Sequence, residues 1–379
     1  MSQLQILIQT LCPEGVEYKT LETVCELSRG KVYSKTYIAA NAGNYPVYSS
    51  QTANNGELGR ISTYDYDGEY LTWTTDGAYA GTIFHRKGKF SITNVCGLIA
   101  IKSPDILNIR FLYYWLSIKA QEYVYRGMGN PKLMSNQMAT IEIPMPPLTV
   151  QEEIVRILDL FTNLAAELQA ELQARQKQYE HYRNKLLTFE KDAEGMEWKR
   201  LPDICENLDR RRKPVTASNR TFGPYPYYGA SGIVDYVSSY IFDGNYLLIS
   251  EDGANLLARN TPIAFSISGK NWVNNHAHVL KFQNMFTQKY IEYYINMIDV
   301  SQYVSGGAQP KLNQENLNKI LIPIPPLPEQ QRIVSILDKF ETLVNDLSQG
   351  LPAEIAAVQE QYEYYRNKLL LFSKNKVSA

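Results

Sequence analysis

Two triplets of the chain carry the residue types of a metal-dependent nuclease. Glu17-Tyr18-Lys19 and Glu197-Trp198-Lys199 match the Glu-x-Lys fragment in which a carboxylate holds Mg²⁺ and a lysine stabilises charge. Neither triplet has an evident acidic partner on a preceding strand, and each fits the opening edge strand of a domain. A stand-alone endonuclease built on these triplets is therefore the alternative reading of the chain. Other catalytic constellations are missing. His276 and His278 flank a single residue, but no Cys, Asp or His set at ordinary spacing completes a metal site, and a structural role follows. Gly127-Met-Gly129 lacks a third spaced glycine, no Walker-type Gly-Lys-Ser/Thr run occurs, and no Asn-Pro-Pro-Tyr or Asp-Pro-Pro-Tyr tetrapeptide is present.

Residues suited to binding are more numerous. Arg86, Lys87 and Lys89 form one local basic cluster, and Arg210, Arg211, Arg212 and Lys213 form a second. Lys132 and Lys311 each sit in a Pro-Lys-Leu turn, one per half of the chain. Such clusters suit phosphate, while abundant Asn, Gln, Ser and Tyr supply donors and acceptors for base edges. Each cluster can equally be a solvated loop, and Pro-Lys can simply shape its turn. The whole chain does not form a basic field: 38 Lys and Arg stand against 39 Asp and Glu, for a formal charge of -1. Any nucleic-acid surface must then be a local patch, and strong stand-alone affinity for DNA is not expected.

The elements that position these residues are duplicated. Ile143-Pro-Met-Pro-Pro-Leu148 recurs as Ile322-Pro-Ile-Pro-Pro-Leu327, at an offset of 179, and each copy is followed by a Gln-x-x-Ile-Val-x-Ile-Leu-Asp segment. Gln178-Tyr-Glu-His-Tyr-Arg-Asn-Lys-Leu-Leu187 recurs as Gln361-Tyr-Glu-Tyr-Tyr-Arg-Asn-Lys-Leu-Leu370, at an offset of 183. Weaker anchors repeat too: Gly15-Val-Glu-Tyr-Lys19 with Gly195-Met-Glu-Trp-Lys199, Tyr45-Pro46 with Tyr225-Pro226, and Asp76-Gly-Ala78 with Asp252-Gly-Ala254. Between these anchors the halves diverge.

After each Pro-rich stretch the apolar residues step by four and three. In the first half the seam runs through Ile154, Leu158, Phe161, Ala165, Leu168, Leu172, Arg175, Tyr179, Tyr182, Leu186 and Phe189. Its length predicts a rod of about 60 Å. In the second half it runs from Ile333 through Val344, Leu347, Leu351 and Ile355 to Phe372, with one extra step of four where Gly350 and Pro352 should kink or interrupt the helix. Such a stripe needs a partner. The two copies could pair antiparallel about an approximate two-fold axis; alternatively, each packs on its own domain or joins two molecules.

Short apolar runs such as Ala80–Phe84, Tyr246–Ser250 and Pro262–Ile267 read as strands between turn residues, each half closing in a helix near 109–123 or 288–298. The expected fold is α+β: two globular domains joined by two long antiparallel coiled-coil helices with pseudo-two-fold symmetry. The segments are 1–147, a spacer helix at 148–192, 193–326, and a second spacer helix at 327–379. No stretch approaches a membrane span, the N-terminus has no leader-like pattern, and Cys12, Cys25, Cys96 and Cys205 are scattered, so a soluble cytoplasmic protein with reduced thiols is expected.

The paired Ile-Pro-x-Pro-Pro-Leu and Gln-x-x-Ile-Val-x-Ile-Leu-Asp segments, the Tyr-Arg-Asn-Lys-Leu-Leu endings and the Gly-Val-Glu-Tyr-Lys opening together resemble the specificity subunit of type I restriction-modification enzymes. The resemblance spans nearly the whole chain. It implies a non-catalytic subunit with two target-recognition domains, each reading one half of a split double-stranded DNA target, with the helices setting the unread gap. It further implies two methyltransferase subunits that carry S-adenosylmethionine and methylate adenine at N6. Separate motor-nuclease restriction subunits would use ATP and Mg²⁺, leaving this chain without a cofactor of its own. Arg183, Asn184 and Lys185, with Arg366, Asn367 and Lys368, would then be framework or partner-facing positions. The Gly350-Leu351-Pro352 interruption departs from strict symmetry.

Overall fold

In the computed structural model, which describes residues 3–127, 129–190 and 195–375, the chain forms two compact units. The first contains residues 1–167 and 356–379, the second residues 168–355. The units therefore cut across both spacer segments, and the 192/193 boundary lies outside the described residues.

The first unit contains β1 (Tyr18–Thr20), β2 (Cys25–Arg29), β3 (Ala42–Tyr48), β4 (Glu57–Ile61), β5 (Tyr66–Thr74), β6 (Ile83–Ile92), β7 (Cys96–Ile101) and β8 (Glu142–Pro144). Six of these form one sheet in the order β2-β7-β5-β6-β3-β4, antiparallel except between β3 and β6. Trp73 lies at its centre, fully buried, with Nε1 donating to the Leu133 carbonyl at 3.0 Å. Gly97 lets β7 pass this ring: a Cβ there would lie 2.2 Å from the indole. The sequence placed a short strand at Ala80–Phe84, but the strand starts at Ile83 because residues 78–81 are spent on a turn.

The second unit contains β9 (Glu197–Arg200), β10 (Glu206–Asn207), β11 (Tyr225–Gly229), β12 (Gly232–Val237), β13 (Phe242–Asp243), β14 (Tyr246–Ser250), β15 (Ala264–Ile267), β16 (Lys270–Val273), β17 (Ala277–Lys281) and β18 (Leu321–Ile324). They form sheets β10-β17-β14-β15 and β12-β11-β16-β13, with β9 paired to β18. The parallel β11–β16 pair repeats β3–β6. The split between the sheets falls at Gly244 and Gly269, both at positive φ. Their counterparts Gly68 and Gly88 face one another within the unbroken β5–β6 ladder.

Each unit closes with a capped helix. Asn108 Oδ1 accepts from the backbone of Arg110 and Phe111 at the start of Ile109–Lys119, and Asn284 Oδ1 accepts from Phe286 and Thr287 at the start of Met285–Met297. The repeated glutamines bind these helices to the spacers. Gln151 spans the Pro146 carbonyl and the Asn108 N–H, while Gln330 spans the Pro325 carbonyl and the Thr287 hydroxyl, and both are buried.

The first spacer is a 40-residue helix, Leu148–Leu187, ending before Phe189 of the expected seam. The second is two helices, Leu327–Asn345 and Leu351–Leu369. Only glycine fits where they part, since a Cβ on Gly350 would meet the Thr342 carbonyl oxygen at 2.3 Å, and Pro352 has no N–H to carry the first helix onward. The expected seam residue Leu347 is consequently outside both helices and 83% exposed.

Within each unit the spacer helices pair. In the second, Tyr182 stacks on Phe340 with centroids 5.6 Å apart, while Leu172 meets Val344 and Leu351, so the partners run antiparallel. In the first, Phe161 stacks on Tyr365 at 5.4 Å. These pairs are equivalent under the repeat: Phe340 corresponds to Phe161 at the offset of 179, and Tyr182 to Tyr365 at the offset of 183.

Candidate nucleic-acid interface

The two repeated turns that the sequence showed separately are clipped together in each unit. In the first, Gly77 N–H donates to the Pro131 carbonyl at 3.1 Å, and Leu133 N–H to the Thr75 carbonyl at 2.9 Å. In the second, Gly253 N–H donates to Pro310 at 3.0 Å, and Leu312 N–H to Glu251 at 2.7 Å. Lys132 and Lys311 stand exposed at the apices of the Pro-Lys-Leu turns.

A strand connection completes each rim. The Thr75 hydroxyl donates to the Val95 carbonyl at 2.8 Å in the β6–β7 turn, and Glu251 N–H donates to His276 at 2.9 Å in the β16–β17 turn. An arginine ties each turn down: Arg29 Nη1 donates to the Asn94 carbonyl at 3.0 Å, and Arg212 Nη1 to the Ala277 carbonyl at 2.8 Å. The hairpin base joins the same rim, since Thr93 N–H donates to Tyr48 at 2.8 Å and Asn274 N–H to Tyr228 at 3.0 Å. In the first unit Asp76 Oδ1 and Thr93 Oγ1 remain without a partner among the described residues.

The second rim rests on a buried charge network. His278 is fully buried; its Nδ1 lies 2.6 Å from Asp209 Oδ2 and its Nε2 lies 2.7 Å from the Leu312 carbonyl oxygen. Arg212 bridges Asp209 at 3.4 Å and Glu251 at 2.6 Å, and Lys311 Nζ lies 3.1 Å from Glu251. Burial pushes both carboxyls up, but for Asp209 the His278 hydrogen bond, and for Glu251 the Arg212 hydrogen bond, lead the contacts that hold each below its ordinary range. Asp209, Glu251 and His278 also form the one ligand cluster with metal-like spacing among the described residues. Arg212 and Lys311 already fill its acceptor sites and both imidazole nitrogens face acceptors, so it is a structural ion-pair network. Sequence reasoning identified His278 as structural but missed its partners, which lie far apart along the chain.

The basic clusters separate by location. Lys87 and Lys89 are exposed, Lys89 over the Tyr64 ring at 4.6 Å. Arg86 is not a surface cation: it is 2% exposed, lies 3.6 Å from the Tyr48 ring centroid, and bonds Thr72 Oγ1 at 3.2 Å. Alternation along β6 sends it to the opposite face from its two neighbouring lysines. Arg210, Arg211 and Lys213 are exposed, with Arg211 donating to the Ile241 carbonyl at 2.9 Å, whereas Arg212 is committed to the network.

Arg183 and Arg366 are half-buried, each lying over the tyrosine one helical turn earlier, Tyr179 at 5.6 Å and Tyr362 at 5.3 Å. Asn184, Lys185, Asn367 and Lys368 face outward. The Glu-x-Lys triplets form paired edges: Glu17 bridges Lys19 at 3.4 Å and Glu197 bridges Lys199 at 2.5 Å, with each strand pairing its Pro-rich counterpart. Neither triplet belongs to a cluster of three possible metal ligands among the described residues, and the endonuclease reading gains no support. Burial pushes the thiols of Cys25, Cys96 and Cys205 up to about 12, which removes them as nucleophiles at neutral pH.

The chain is thus a duplicated α+β scaffold with matched polar rims. Residues 13–175 and 193–357 match the type I restriction-modification DNA specificity domain. A Mycoplasma pneumoniae protein named as a type I specificity subunit is 32% identical over 365 residues, covering 94% of this chain and 97% of the relative. A Haemophilus influenzae protein named as a type I restriction enzyme specificity subunit is 34% identical over 388 residues, covering 94% and 96%. The crystal structure of the S subunit of a type I restriction-modification system from M. genitalium has the same fold, with a TM-score of 0.63 at 16% identity over 93% of this chain and 96% of that one. The chain belongs to the type I restriction-modification DNA specificity family, whose members are non-catalytic specificity subunits. No helix among the described residues is long and apolar enough to cross a membrane.

Proposed function

We propose that each domain reads one half of a bipartite duplex DNA target through its polar rim, and that the spacer helices set the gap between the halves. The observation that carries this reading is the repetition of one rim construction in both units around hairpins of different length and sequence: a common frame presenting different readers. In this reading the chain also scaffolds two methyltransferase subunits, which supply S-adenosylmethionine and methylate adenine at N6. Separate restriction subunits supply ATP- and Mg²⁺-dependent cleavage. Asn184, Lys185, Asn367 and Lys368 are offered to those partners, while Arg183 and Arg366 brace the helices. The complex works in the cytoplasm, with the chromosome.

A net charge of -1 fits a subunit that holds DNA firmly only once partners enclose the duplex. The test is reconstitution. The purified chain should transfer no methyl group, and should confer methylation at one bipartite sequence when the methyltransferase subunit is added. Methylation by that subunit alone at the same sequence would refute the assignment.

A further inference from the structure

The repeat aligns the β3–β4 hairpin of the first unit with β11–β12 of the second, and the two differ at their tips. Gly229 pairs with Gly232, leaving Ala230 and Ser231 as the turn. In the first unit Tyr48 pairs with Glu57, and residues 49–56 project between them. We propose that Asn54 and Asn55, at the tip of this projection, read base edges of the half-site assigned to the first domain, an inference that rests on the DNA-reading function above.

The tip is held in a costly shape. Asn54 (φ 50, ψ 43) and Asn55 (φ 52, ψ 31) are both left-handed, and Gly56 follows at φ 79. Asparagine tolerates this region better than other residues with a side chain, and two in succession followed by Gly56 make a tight turn whose shape the surroundings fix. Here the surroundings are specific. Ser49 N–H donates to the Gly56 carbonyl at 2.9 Å, and Gln51 Nε2 donates to the Glu57 carbonyl. Gly56 lies against the buried Arg86, where a Cβ would sit 2.9 Å from Nη2, so the guanidinium forms a fixed floor beneath the tip. That floor is locked by the Tyr48 ring on one side and Thr72 on the other. Arg86 is thus a positioning residue, not a phosphate contact.

The shape would serve packing if the two amides were used within the protein, and they are not. Both side chains are exposed, and among the described residues neither makes a hydrogen bond. A rigid tip with two unused amides, rooted at Tyr48 beside the rim that holds Lys132, presents the group that pairs bidentately with adenine N6 and N7 in the major groove. The second domain, with its two-residue turn, must read by other means.

The experiment uses the full chain with its methyltransferase partner in cells, with methylome sequencing as the readout. Asn54→Gly with Asn55→Gly keeps a backbone that tolerates left-handed angles and removes both amides. Discrimination should fall about 5- to 150-fold at one or two adjacent base pairs of a single half-site, leaving the other half-site intact. Asn55→Asp provides the second variant, replacing a donor-acceptor with an acceptor; it should move preference at one position from adenine towards cytosine. Unaltered base preference in either variant that still methylates, or a change in both half-sites, overturns the proposal. A wild-type complex that methylates no bipartite sequence would instead overturn the DNA-reading function on which it rests.

Discussion

Replacing Asp209 with alanine probes the network beneath the second rim. The carboxylate accepts from Val279 N–H at 2.9 Å, faces His278 Nδ1 at 2.6 Å and pairs with Arg212 at 3.4 Å, while His278 is wholly enclosed. Removing it leaves a buried imidazole and a guanidinium without their partner, a loss of about 3–5 kcal/mol. For a unit of this size each kcal/mol moves the melting temperature by about 2–4 °C, so a drop of roughly 6–20 °C is expected. Differential scanning calorimetry of the full chain should show it. The sign of the pH dependence follows from Asp209 and Glu251, both lowered in the folded state. Their stabilisation is complete above the ordinary carboxylate range, about pH 4, and is lost as pH falls through the depressed native values. Alanine should flatten that acid limb. A shift under about 2 °C, or an unchanged acid limb, would show that the network carries no stability.

Three further outcomes are expected. Lys132→Gln should weaken binding of the assembled complex to DNA of any sequence and reduce the log–log salt slope by about 0.9; Lys311→Gln should do less, because Lys311 already pairs with Glu251 at 3.1 Å. Phe340→Ala and Phe161→Ala each remove one of two equivalent stacks and should cost similar amounts, about 2 kcal/mol, in denaturant titrations; a large cost for one with none for the other would deny the equivalence. Deleting residues 347–350 removes the inserted turn and should alter half-site spacing or assembly, with base preference intact; altered preference at unchanged spacing would show that the spacers do not set the gap.

What the sequence disclosed follows from which interactions are local. The seam was legible because helix packing imposes a period, and Ile154, Leu158, Leu172, Ile333, Leu337 and Val344 are all buried. Tyr246–Ser250 was legible as a strand for its apolar run, and it is buried throughout. Arg86 was misread as part of a surface cluster because adjacency along the chain outweighed alternation across the sheet. The rims were half legible: Asp-Gly-Ala and Pro-Lys-Leu both announced themselves by repeating, but nothing in their spacing says that they bond to each other. Asp209 and His278 are 69 positions apart, a separation at which no periodic signal survives.

The two offsets of the repeat, 179 and 183, acquire a physical meaning from the helix pairing. A four-residue insertion inside a continuous coiled-coil helix would displace its seam by a little over a turn and set every later contact against a new partner. Here the insertion is taken up between Asn345 and Leu351, where Ser348 folds back on the Asp346 carboxylate at 2.6 Å and Leu347 is released to solvent. Both helices on either side keep the seam of the first spacer, which is why Phe161 still meets Tyr365 as Tyr182 meets Phe340. The same logic applies to the domains. In both units backbone hydrogen bonds join the hairpin base and the Pro-Lys-Leu turn to the rim, so the same frame carries a hairpin turn of two residues in one unit and of eight in the other. The proposed function calls for that separation: helix contacts and rims that match between the two units on one side, and hairpin tips that differ between them on the other.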